Sequence, residues 1–178
     1  VLGRRLSRHR PMGYLRGELE ELADRMLLDA LVYDSPLQGR PLCLEYATPL
    51  EEFPDFHSGY KLFSRSAAKD VFLHEPQFCQ LPEKAYFKHG CEAVMTVEAI
   101  KGGAHLVAVN RSTFNEQPLS VFGLLDRAQM TAAKILWPCR RLSVPSDFVV
   151  QWLRNHMARL QRGTLAPGGK DELRRIRD

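Results

Sequence analysis

Twenty residues, CEAVMTVEAIKGGAHLVAVN (91–110), say more about the possible fold than any other stretch. Two apolar runs flank Gly102-Gly103. In the first, Ala93, Met95, Val97 and Ala99 alternate with Val94, Thr96, Glu98 and Ile100, the period of two expected of a strand. The glycine pair supplies the positive φ angles that a tight strand reversal needs. Leu106 and Ala108 then continue the Met95/Val97 face, with His105, Val107 and Val109 opposite. The pattern predicts a hairpin over about 91–110. Both of its faces are apolar, so it should lie inside a small sheet rather than on a surface.

Helices should pack that sheet. In GELEELADRMLLDALVY (17–33), Leu19, Leu22, Ala23, Met26, Leu27, Ala30 and Leu31 recur at the three-four spacing of one apolar stripe. Glu18, Glu20 and Glu21 crowd its first turn, where the helix dipole favours negative charge. Ser35-Pro36 should stop it. Arg40–Thr48 reads as a short strand with Leu42, Leu44 and Tyr46 on one side, and 64–74 as a short helix begun by a serine. A further helix is expected over 118–137, with Pro118 near its first turn and Pro138 forbidding its continuation. Ser146-Asp147 should cap the last one, 148–162, which buries Val149, Trp152, Leu153, His156, Met157 and Leu160. Between Pro49 and Gly90 the pattern is looser and rich in Phe and Tyr: a loop anchored by aromatics against a core or a partner.

The expected architecture is α+β, a small mainly antiparallel sheet with a central hairpin, packed by three or four helices, with basic extended termini. At 178 residues the chain suits one domain. Its parts should be a basic arm over 1–16, a single domain over 17–163 and a basic tail over 164–178.

Net charge is +4, unevenly spread. Arg4, Arg5, Arg8, Arg10 and Arg16 fall in the first sixteen residues with no acid among them, and seven bases face three acids over 154–178. The body between is therefore acidic. A folded nucleic-acid-binding domain usually carries its bases as a patch on the body. Basic ends on an acidic body fit docking better, with Arg174, Arg175 and Arg177 as the second tether. The acid-free start also suits the end of a mitochondrial presequence, or a mature terminus left by its removal. No run approaches the roughly 20 apolar residues of a membrane span.

Few constellations promise chemistry. His74, Cys79, His89 and Cys91 are the residue types of a zinc site, but their spacing departs from the close pairs of familiar ones. Cys79 and Cys91 read more simply as small buried hydrophobes. In the hairpin register Cys91 and His105 lie too far apart to act as nucleophile and base. Glu92, Glu98 and Lys101 lack the neighbouring aspartate of a magnesium site. No glycine-rich phosphate loop is present, and no cofactor is implied. The pattern therefore points to a non-catalytic, structural or accessory subunit of a large assembly, ribosome-associated or respiratory. It would be intracellular, in the mitochondrial matrix, with other protein subunits or structural RNA as partners. The alternative is a small enzyme or zinc-binding module centred on the four Cys and His residues.

Overall fold

The computed structural model describes residues 1–5, 14–46, 53–111, 126–163 and 168–178. The broad α+β class holds, but the sheet is not antiparallel and 91–110 is not a hairpin. Three strands, β1 (Leu2–Arg5), β2 (Leu44–Tyr46) and β3 (Leu106–Arg111), lie in the order β1-β3-β2, and both pairings are parallel. Leu2 lies opposite Ala108 and Arg5 opposite Arg111; on the other side Leu44 faces Leu106.

Parallel neighbours need long crossovers, and helices supply them. Helix α1 (Tyr14–Leu37) connects β1 to β2. From β2 the chain passes through α2 (Arg65–Phe72), α3 (Glu83–Ala85), a π-helical turn (Tyr86–Gly90) and α4 (Cys91–Lys101) before β3. One segment runs the other way along the free edge of β1. Gly3 N–H donates to Tyr60 O at 2.9 Å, Leu62 N–H donates to Val1 O at 2.8 Å, and Leu2 bridges Lys61.

The hairpin fails for a local reason. Ala93, Val94, Thr96, Val97, Glu98 and Ala99 are all buried, so α4 is covered nearly all round. A helix with apolar residues at nearly every register also alternates, and alternation then stops being diagnostic. The glycine pair is the end of this helix. Gly103 has φ +87° and donates to Ile100 O, while Ala104 N–H reaches back to Ala99 O, both at 2.9 Å. These two bonds make a Schellman cap, with glycine at its left-handed position.

The expected stripe of α1 is buried from Leu19 to Leu31. The helix takes Pro36 into its last turn and ends before Gly39, whose φ is +62°. Helix α5 (Arg127–Arg141) starts at Asp126, whose carboxylate accepts from the N–H groups of Ala128 and Gln129. Pro138 sits inside it rather than stopping it. The expected start at Pro118 lies outside the described residues. Helix α6 (Ser146–Gly163) follows the expectation closely.

The described parts of the basic ends belong to the packed fold rather than standing off it. Residues 2–5 are the edge of the parallel sheet, and the expected tail contains α7 (Gly169–Arg177), which packs on α5 and α6. Leu173 and Ile176 carry that packing: both are buried, and Leu–x–x–Ile places them on one helical face. They join one core with Leu2, the α1 stripe, Phe56, Val97, Trp137 and Trp152. Trp137 is fully buried and satisfies its indole N–H on Gln77 O at 2.7 Å. Among the described residues no helix is long and apolar enough to cross a membrane.

Candidate acid-base centre

At its carboxyl end β1 delivers Arg5 into a buried polar cluster. Arg5 Nε and Nη2 donate to the two oxygens of Asp55, each at 2.7 Å, and its backbone N–H donates to Asp55 Oδ2 at 3.1 Å. Arg5 Nη2 also lies 3.4 Å from Glu20 Oε2, while Glu20 Oε1 accepts from Lys134 Nζ of α5 at 2.7 Å. All four residues are buried. Two cations thus meet two carboxylates, which is what keeps such burial tolerable.

One turn along α1 from Glu20, Asp24 enters the same interior. Its Oδ1 accepts from the backbone N–H of His57 at 3.1 Å and faces His57 Nδ1 at 2.8 Å. Neither side chain has any solvent exposure. A carboxylate only accepts, so Nδ1 carries the hydrogen, which leaves Nε2 as the acceptor nitrogen of the neutral ring. Nε2 is buried and has no hydrogen-bond partner among the described residues. The segment 55–57 is therefore held at both ends, by Arg5 on Asp55 and by Asp24 on His57.

The electrostatics of the cluster are strongly coupled. Burial would push the Glu20 carboxyl up, but the charges of Lys134 and Arg5, the Lys134 hydrogen bond and, when its ring is protonated, His57 hold it down at about 2. Burial would likewise lower the Arg5 pKa, and Asp55 outweighs it, so the guanidinium is held more firmly charged than usual. Half-buried Lys61 goes the other way. Burial pushes it down to about 8, against the opposing pull of Glu92, Asp55 and Asp24. Its ammonium donates to Ser58 O. For Cys91, burial and the adjoining Glu92 push the thiol up to about 11, and Sγ donates to Glu92 Oε2 at 3.2 Å. A thiol held that high is no nucleophile near neutrality.

The cluster sits where parallel sheets usually hold their ligands, beside the carboxyl ends of the strands. Arg5 and Arg111 end β1 and β3 as paired neighbours. The Arg111 guanidinium lies over the Tyr60 ring, 5.5 Å from its centroid, and its Nε is buried without a hydrogen bond. Gly3 makes that contact possible: a Cβ there would lie 2.5 Å from Tyr60 Cδ1 and 3.1 Å from Arg111 Cδ.

The structure distributes the sequence-predicted residues unevenly. Arg5 is a core residue of the cluster, and Arg4 is half-buried on the same strand. Arg8 and Arg10 lie outside the described residues, as does the side chain of Arg16. Arg174, Arg175 and Arg177 are exposed on α7, paired with Asp171, Asp126 and Asp178. His74 Nε2 lies 3.4 Å from the Tyr86 hydroxyl, Cys79 is half-buried with φ +50°, and Cys91 opens α4. The side chain of His89 is outside the described residues. No group of three or more His, Cys, Asp or Glu that could hold a metal forms among the described residues.

Sequence reasoning singled out neither Asp24 nor His57. The signal was there: Glu20 and Asp24 continue the row of Leu27 and Leu31 at the four-three-four spacing of a buried face. Two carboxylates on an apolar stripe need cations brought from elsewhere.

Comparisons with protein-family models, with curated proteins and with solved structures give no match.

Proposed function

We propose that the chain is an enzyme of the acid-base type, with His57 Nε2 as the group that moves the proton. One observation carries this reading: a histidine with no solvent exposure, oriented through Nδ1 by a buried carboxylate, whose other nitrogen has no hydrogen-bond partner among the described residues. Buried polar atoms are nearly always satisfied, and the exceptions call for an explanation. A substrate hydroxyl or water placed at Nε2 supplies one. The neutral ring takes the proton, Asp24 stabilises the imidazolium, and the ring returns the proton to a leaving group. Such assistance contributes about 10² to 10⁴ in rate. Arg5, Asp55, Glu20 and Lys134 fix the position of the pair, and Arg111 at the same strand ends, whose Nε has no hydrogen bond among the described residues, favours an anionic substrate.

The test is a panel of ester, phosphoester and amide substrates read against His57→Asn. An asparagine amide reproduces Nδ1 and its bond to Asp24 but has nothing at the place of Nε2. Turnover should fall by at least about 10² while the fold is kept. Unchanged turnover would overturn the proposal.

A second reading is favoured by the surface around α2. Leu62, Phe72 and Leu73 are 68%, 63% and 77% exposed, and Phe63 joins Phe72 edge to face. Apolar surface of this kind marks association sites. On this reading the chain is also a subunit of a larger assembly, docked through this surface onto protein or RNA-bearing neighbours. The arginines of α7 already have carboxylate partners within the chain. Leu73→Glu should then release the chain from its complex on native sizing, and a complex that persists would count against it.

A further inference from the structure

Away from the His57 centre, and independent of it, a groove of about 300 Å³ opens between α5, α6 and α7. Its walls are apolar: Ala132 and Leu136 from α5, Val149, Val150 and Leu153 from α6, Ile176 from α7. Leu136 and Val150 are 39% and 44% exposed, so the walls are open to a ligand rather than sealed by packing. The polar rim is mainly cationic, formed by Arg140, Arg175 and Arg177 with Asp178. Two of these arginines are neutralised, by Asp126 and Asp178. Arg140 is not: its hydrogen bond goes to the carbonyl of Cys79, at 3.2 Å, and no described carboxylate pairs with it.

We infer that this groove binds an anionic amphiphile, with an aliphatic chain between α5 and α6 and a carboxylate head on Arg140. The size fits a small ligand, since pockets of this order hold molecules rather than a partner's helix. The charge at the mouth selects the head group, because an aliphatic wall alone does not distinguish an acid from an alcohol. Arginine also presents the donors that match a carboxylate.

Calorimetric titration of the full chain with decanoate, decanol and decylammonium, each kept below micelle formation, tests this. Decanoate should bind saturably at one per chain. Decanol should bind about tenfold more weakly for want of the charge-assisted bond, and decylammonium more weakly still. Ala132→Trp fills the groove and should abolish binding; Val150→Trp, at an exposed position, serves the same purpose if the first variant melts early. Arg140→Gln, on the surface, should bring decanoate to the level of decanol. Equal binding of decanol and decanoate, decanoate binding that survives both tryptophans, or no saturable binding would each overturn the inference. None of these outcomes bears on His57.

Discussion

His57 Nδ1 lies 2.8 Å from Asp24 Oδ1, across 33 residues of sequence, where neither side chain meets solvent. The pair therefore has two separable properties. The Nδ1 side belongs to the fold, because it keeps a buried carboxylate supplied with donors. The Nε2 side makes no hydrogen bond among the described residues.

Substitution should separate those two sides. Asp24→Ala strips the carboxylate from a buried pair and should cost about 3–5 kcal/mol. His57→Asn keeps the bond to Asp24 and should cost no more than about 1–2 kcal/mol. Urea midpoints for the two variants check this. Equal, large losses would make His57 a structural histidine.

Arg5 and Arg177 are both terminal arginines, yet their removal should differ sharply. Arg5→Met leaves Asp55 buried without its main cation, for a loss of about 3–5 kcal/mol. Arg177→Gln removes an exposed charge and should fall within about 0.5 kcal/mol of the parent. Thermal melts of the two would show whether the basic start is a structural strand or a loose tether.

Acid should weaken the fold in a defined window. Glu20 is held at about 2 in the folded chain against an ordinary value of 4.5. Its contribution is complete above 4.5 and is lost as pH falls toward 2, because the unfolded chain takes up the proton first. Glu20→Gln should flatten stability over that window while lowering it at neutral pH, as read by denaturant midpoints at a series of pH values.

Lys61 works in the opposite sense. Its folded value of about 8 lies below the ordinary 10.5, so between the two the unfolded chain holds more protons and stability should rise with pH. Lys61→Met removes the cost of burying the ammonium. It should raise the midpoint at pH 7 and abolish the rise between 8 and 10.5. A fall at pH 7 would mean that the bond to Ser58 O outweighs that cost.

Gly103→Ala tests the helix cap. Nothing lies within 4 Å of a Cβ added there, so only the φ of +87° opposes the substitution. A loss of about 1 kcal/mol is expected, with helicity by circular dichroism otherwise unchanged.

The elements that were legible in the sequence are those whose apolar residues are spaced by polar ones. The stripe of α1 shows the helical period because acids and Arg25 separate its apolar residues, and the face of α6 because its outer face is polar, as Arg154 and Asn155 illustrate. Helix α4 lacks such a face: Val94 and Val97 are buried on one side and Ala99 packs against α2 on another. Its period was therefore hidden, and the two glycines that end it also fit a strand reversal. The parallel pairing of β1 with β3 joins Leu2 to Ala108, far beyond any local pattern. The candidate centre was illegible for the same reason. Arg5, Glu20, Asp24, Asp55, His57 and Lys134 come from four separate parts of the chain and share no spacing. Only the two acids within the α1 stripe hinted that something must meet them there.

The order β1-β3-β2 puts the last of the described strands at the centre of the sheet. During synthesis β1 and β2 both leave the ribosome before the strand that each must pair with. At about 5–20 residues per second, roughly a hundred residues take 5–20 s to follow β1. Through that interval two short strand segments wait without a ladder, and Arg5 has no sheet to hold it beside Asp55. A chaperone that shields the nascent amino-terminal half would act on that interval, before the middle strand arrives and closes it.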